Sequence, residues 1–270
     1  MSEEKFFIPI ENLVLDSTEG LNLGKIQISP AKPQVYKAKP RIHRFGYYLT
    51  GSAEEEEQRK FLEKILIVMK LFKDKVPHAS IILRDGKPPL SLNYYIAWNN
   101  NDTYYISKDE ESSFADFWRK YQAINQSNFA VRRFYKADFR PLKSDYLLDY
   151  VQALEYLFVP LSTGGKKIDK FRSRGSIVLG RNHEDKIKIF CELNQAYKLR
   201  NSIVHGDDTE RDNLLKNRDI NDPEVWEAEA VQIRHYCRRA IIYFFDNECL
   251  DDAEKRLALL EKEVPESEIR

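Results

Sequence analysis

With 270 residues, the chain is long enough to bury a full core in one large domain or two smaller ones. An apolar fraction of 42% and an aromatic fraction of 12% exclude a disordered polymer, and a formal net charge of zero gives bulk electrostatics no reason to favour nucleic acid or membrane. Cys191, Cys237 and Cys249 lack C-x-x-C spacing, which disfavours a disulfide framework or a zinc site and fits a reducing compartment. The first residues carry no secretory pattern, and the longest apolar runs, near 65–69 and 240–245, are too short to span a bilayer. The expectation is a cytoplasmic protein with no membrane partner.

The first fifty residues alternate short apolar runs with turns. Residues 6–10, 21–28 and 34–37 read as strands or extended pieces, punctuated by Gly20, Gly24, Pro30, Pro33 and Pro40. Residues 54–73 read as a helix with an acidic first turn, followed by Phe61, Ile65, Val68, Met69 and Phe72 at helical spacing. Residues 81–83 and 94–98 look strand-like around the turn Asp85-Gly86-Lys87-Pro88-Pro89. Residues 1–110 are thus expected to form a small mixed α/β accessory region.

From Ser112 the pattern turns helical. Residues 114–121 and 129–135 suggest short helices, and 144–158 a strong one with Leu147, Val151, Leu154 and Phe158 in one stripe. The basic stretch from Gly164-Gly165 to Gly180 reads as a connection. A second strong helix is expected over 185–204, stopped by Gly206. Asp222-Pro223-Glu224 supplies an N-cap, a first-turn proline and an early acid for a helix over 224–249, with Trp226, Ala230, Ile233, Cys237, Ile241 and Phe244 on one face. A final charged helix over 252–263 has only Leu257, Leu259 and Leu260 to bury. The expected organisation is mainly α, with a helical domain over 111–250 and a charged C-terminal helix or tail over 251–270.

Charge is unevenly spread along this half. Residues 161–200 carry ten Lys/Arg against four acids, which suits a polyanion partner as well as it suits an ordinary solvated loop. This stretch leads into Tyr197-Lys198-Leu199-Arg200-Asn201-Ser202-Ile203-Val204-His205-Gly206. Arg200 falls in the apolar stripe Ile189, Leu193, Ala196, Ile203, so it is expected to face inward and to need a partner or a bound anion. Glu155, flanking the stripe of the preceding strong helix, is the candidate partner; a purely structural Glu–Arg pair is the competing reading. His205 lies about 140° around an ideal helix from Arg200. The two can converge only if the last turn unwinds or a second copy contributes. A histidine at a helix end also serves simply as a partner of the helix dipole. His43, His78, His183 and His235 form no metal-ligand spacing, and P-loop, G-x-G-x-x-G and G-x-S-x-G signatures are absent from the sequence. No metal or cofactor is expected.

The segment Tyr197–Gly206 resembles the R-x4-6-H motif of HEPN domains, in the version with a polar Asn directly after the Arg. The upstream Leu147-Leu148-Asp149-Tyr150-Val151-Gln152-Ala153-Leu154-Glu155-Tyr156-Leu157 looks like the first long helix of the ApeA-like HEPN subgroup, and the resemblance covers about residues 125–250. Phe7-Ile8-Pro9-Ile10 and Leu21-Asn22-Leu23-Gly24-Lys25-Ile26 are similar to the region that precedes such domains. The resemblance implies an all-α HEPN bundle that forms a homodimer in which two motifs line one cleft. Many members are metal-independent endoribonucleases of prokaryotic antiviral defence and toxin systems, and others bind RNA without cutting it. An antitoxin or sensor partner is compatible with such systems and has no signature in this sequence. By the resemblance, Arg200 and His205 hold the motif positions, Asn201 the polar position between them, and Glu155 the acid of the first helix.

These groups suit one chemistry. A histidine, whose side chain ordinarily titrates near neutrality, can take the proton of a ribose 2′-OH or protonate the leaving 5′ oxygen. An arginine can hold the scissile phosphate with paired hydrogen bonds. A 2′-OH nucleophile restricts the substrate to RNA and predicts a 2′,3′-cyclic phosphate product. Lys198, with Arg174, Arg181 and Lys186 of the basic stretch, would guide the strand. Two alternatives stay open: an RNA- or nucleotide-binding module without catalysis, and a helical interaction protein in which Arg200 and His205 only pack and cap.

Overall fold

The computed structural model describes residues 4–10, 13–16, 19–24, 26–30, 47–53, 55–74, 81–84, 87–91, 104–161, 166–216, 218–219 and 222–263. The protein is mainly helical with a small sheet region near its start, and it divides into two compact units, Met1–Gln126 and Ser127–Arg270. The division falls later than the composition shift near residue 110 suggests. The expected pieces at 34–37 and 94–98 lie outside the described residues.

The first unit holds a sheet of order β3-β4-β5-β1-β6-β7 (β1 Glu4–Ile10, β3 Leu21–Asn22, β4 Ile26–Pro30, β5 Tyr47–Ala53, β6 Ile81–Arg84, β7 Lys87–Ser91), antiparallel throughout. The stretch 21–28 is therefore a hairpin and not one strand. Its short link holds Gly24 at φ +83°. Lys87-Pro88-Pro89, read as a turn, belongs to β7. That strand lies at the sheet's edge, where a missing N–H costs no ladder bond. A separate parallel pair joins β2 (Leu13–Leu15) to β8 (Tyr104–Ile106). Helix α1 (Glu55–Lys73) buries Leu62 and all of Ile65–Leu71, a wider surface than the expected stripe, while Phe61 and Phe72 are half-buried. Helix α2 (Lys108–Tyr121) buries Phe114, Trp118 and Tyr121, and the Trp118 indole donates to the Leu23 carbonyl at 3.1 Å.

The second unit is a helical bundle: α3 (Phe129–Ala137), α4 (Lys143–Phe158), α5 (Lys167–Leu179), α6 (His183–His205), α7 (Asp208–Leu214), α8 (Pro223–Asp246) and α9 (Ala253–Glu263). Helix α4 is central and packs on α3, α5 and α8. The expected stripe Leu147, Val151, Leu154, Phe158 is fully buried, and so are Tyr150, Ala153 and Leu157. Phe158 meets Phe171 of α5 and Phe244 of α8 at ring distances of 6.3 and 6.0 Å. All six expected inward residues of α8 are buried, and Asp222 caps it by accepting from the Glu224 N–H at 2.9 Å.

Two expectations need correction here. The basic connection before Gly180 is largely helix α5, whose buried face is Phe171, Ser173, Arg174, Gly175, Ser176 and Leu179. The C-terminal helix expected over 252–263 is present as α9, but it belongs to the second unit and does not stand after it. Arg256 of α9 is fully buried, donates to the Leu250 carbonyl at 2.5 Å and stacks on Tyr156 of α4 at 4.4 Å, which makes α9 part of the bundle.

Candidate functional site

Helix α6 carries the motif and is fixed at both ends. Asn182 caps its start by accepting from the Asp185 N–H at 2.8 Å. At its end Gly206 adopts φ +69°, its N–H donates to Ile203 O at 3.3 Å, and the Asp207 N–H donates to Ser202 O at 2.8 Å. This is the crossed hydrogen-bond pattern of a glycine-stopped helix. The last turn therefore stays helical through His205 and does not unwind.

The buried stripe runs Ile189, Leu193, Ala196, Leu199, Ser202, whereas Ile203 is half-buried. Arg200 accordingly lies on the flank of the core and keeps 21% of its side chain exposed, so it is less deeply placed than its spacing suggested. Its Nη1 donates to Asn201 Oδ1 at 2.8 Å, and its guanidinium lies 5.9 Å from the Tyr197 ring. The expected partner is present: Glu155 Oε2 of α4 stands 3.9 Å from Arg200 Nη2. That separation makes an ion pair and not a hydrogen bond, and partial exposure holds its strength to about 0–1 kcal/mol. Arg200 Nε is buried without a hydrogen-bond partner among the protein atoms described, so the guanidinium is incompletely satisfied.

Two further residues belong to this cluster. Lys167, at the start of α5, donates to Glu155 Oε1 at 3.3 Å. Tyr197 has its phenol pushed above its ordinary range, first by burial and then by the nearby Glu155 carboxylate. Tyr197, three residues before Arg200, was recoverable from helical neighbour spacing. Lys167 was hidden because its segment read as a loop.

The other expected residues divide. His205 is exposed on the last turn, and its side chain has no hydrogen-bond or ion-pair partner among the described residues. An α-helix sets it about 140° around and about 7.5 Å along from Arg200, so one chain aims the two side chains to different sides. Exposed Lys198 is two turns from His205 and shares its face, not that of Arg200. Arg174 is a correction: it is 2% exposed and donates to the Phe158 carbonyl at 3.1 Å, where it finishes the end of α4 and is closed to a strand. Arg181 is exposed and Lys186 half-buried, both at the opposite end of α6, about 21 Å along the axis from Arg200 in the case of Lys186. Arg172 is tied to Asn194 and Asp169 at 2.9 and 2.7 Å and stacks on Phe190 at 4.5 Å, so it fastens α5 to α6.

A cavity of ≈ 380 Å³ in the first unit, lined by Leu23, Ile26, Phe61, Trp118, Arg119 and Gln122 among others, contains none of these residues. Among the described residues, no three His, Cys, Asp or Glu side chains are grouped to hold a metal ion, and no helix is long and apolar enough to cross a membrane. Compared with known proteins, the chain matches no family model, no curated protein and no solved structure.

Proposed function

We propose that the second unit is a HEPN-type, metal-independent endoribonuclease that cleaves RNA by 2′-OH attack and serves prokaryotic antiviral defence or a toxin system. The observation that carries this reading is the Arg200 guanidinium, placed at the flank of the core beside Glu155 and Asn201 near a glycine-stopped helix end that presents an exposed His205. Arg200 holds the scissile phosphate and stabilises the charge that develops on it, and Glu155 orients Arg200. His205 moves the proton. Because one chain aims Arg200 and His205 apart, the cleft takes Arg200 from one protomer and His205 from its partner in a two-fold homodimer. Val204 beside His205 is 50% exposed, an apolar surface suited to such a contact.

The separation of the two side chains also favours a second reading, an RNA-binding module that does not cut. Digestion of unstructured RNA in EDTA separates them. The nuclease reading expects products from the wild type and a loss of at least about 100-fold in His205→Ala. The binding reading expects RNA retention that is lost in Arg200→Ala, and no product from any variant.

A further inference from the structure

We infer that Lys167 is the second cation of the phosphate seat around Arg200, an inference that rests on the reading of Arg200 as a phosphate-holding residue. Three helices converge at this point. Glu155 comes from α4, Lys167 from the first residue of α5, and Tyr197, Arg200 and Asn201 from the last turns of α6. The Glu155 carboxylate is divided between two cations, with Oε1 3.3 Å from Lys167 Nζ and Oε2 3.9 Å from Arg200 Nη2. One carboxylate thus spaces an ammonium and a guanidinium across itself, and neither contact is short enough to saturate its cation. Lys167 is 52% exposed while Glu155 and Arg200 are each about one-fifth exposed, so the seat opens to solvent on the lysine side.

The charge of this cluster selects its ligand. Two cations against one carboxylate leave a net charge of one positive unit. An internal phosphodiester carries a single negative charge and matches it. A terminal or free phosphate carries about 1.5 to 2 negative charges at neutral pH, and its surplus falls beside the Glu155 carboxylate. The seat therefore takes an internal phosphodiester and disfavours a phosphate monoester, and Glu155 sets that preference. Lys186, about 21 Å away along α6, and Arg181, which precedes that helix, do not contribute to it. This gives an endonucleolytic site a reason to pass over strand ends.

The test is the salt dependence of binding to a fully 2′-O-methylated RNA, which lacks the attacking hydroxyl and cannot be cut. Each lost phosphate contact on a single strand lowers the slope of log K against log salt by about 0.7. Lys167→Ala and Arg200→Ala are each expected to lower it by that amount, and Lys167→Arg to retain it. A normal slope in Lys167→Ala with a reduced slope in Arg200→Ala overturns the role of Lys167 and leaves the reading of Arg200 standing. Unchanged slopes in both variants overturn both. Inorganic phosphate added as a competitor reads the charge preference: Glu155→Gln is expected to make it compete more strongly, and unaltered competition contradicts the assignment of Glu155.

Discussion

Arg174 and Arg200 show why one residue type in one basic stretch supports two different roles. Arg200 sits at the flank of the α6 stripe with a carboxylate 3.9 Å away and a fifth of its side chain exposed, whereas Arg174 is spent on the end of α4. A buried guanidinium that satisfies a helix-end carbonyl is structural, because its removal leaves that acceptor and its own volume unfilled. Arg174→Ala is expected to lower unfolding free energy by about 2–4 kcal/mol in urea titrations while leaving the salt dependence of RNA binding unchanged. A normal stability together with a shallower slope returns Arg174 to the nucleic-acid surface. Position in the stripe suggested the environment of Arg200, but neither composition nor charge could separate it from Arg174. That difference depends on which carbonyl lies opposite, a tertiary fact.

At the scale of elements, the α4–α5–α6 contact depends on a helix that lacks the usual apolar signature. A Cβ added at Gly175 would stand 2.4 Å from Leu193 Cδ1 and 3.1 Å from Phe158 Cε2, and both of those side chains are fully buried. Alanine is the better helix former by about 1 kcal/mol, yet the overlap is expected to win, and Gly175→Ala should destabilise by about 1–3 kcal/mol. A stabilising Gly175→Ala in thermal melts means that α5 and α6 are not this close. The same small and polar face explains why α5 was illegible in the sequence: Ser173, Arg174, Gly175 and Ser176 occupy positions where periodicity looks for Leu or Ile. Helices α4, α6 and α8 were legible because their stripes and stops are conventional. The strands β5, β2 and β8 were not, because short segments are stabilised by distant partners such as Leu13 with Tyr104.

The start of α2 supplies a pH prediction at the same scale. Glu110 accepts from Lys73 Nζ at 2.5 Å and from the Ser107 N–H at 3.0 Å, and these contacts, the lysine first, hold its carboxyl below the usual range. A carboxyl with a depressed folded-state pKa stabilises the fold above its unfolded value, about 4.3, and loses that contribution as pH falls through the folded value. The urea midpoint of Glu110→Gln should therefore lie below that of the wild type at pH 7, and the gap should close toward pH 3. A gap that persists or widens in acid contradicts this account.

For the whole molecule, the active cleft is proposed to need two chains, and mixing tests that. Arg200→Ala and His205→Ala protomers are each expected to be inactive alone. In a two-fold dimer of one of each, the shared cleft keeps one complete Arg200–His205 pair and loses both groups of the other. Random re-association of an equal mixture is then expected to restore about a quarter of wild-type activity. A mixture as inactive as its components, despite exchange of protomers seen by mass, places the two residues outside any shared cleft. The first unit, with its sheet and its own cavity, is not needed for the cutting chemistry in this account.

The chemistry of the cut ends bears most directly on the central claim that Arg200 and His205 act together on a ribose-flanked phosphate. RNA digested in EDTA by the wild-type chain is predicted to carry 2′,3′-cyclic phosphate ends by mass spectrometry, and His205→Ala is predicted to leave the RNA intact. Products ending in 3′-hydroxyls, or cyclic ends formed equally well by His205→Ala, would contradict it.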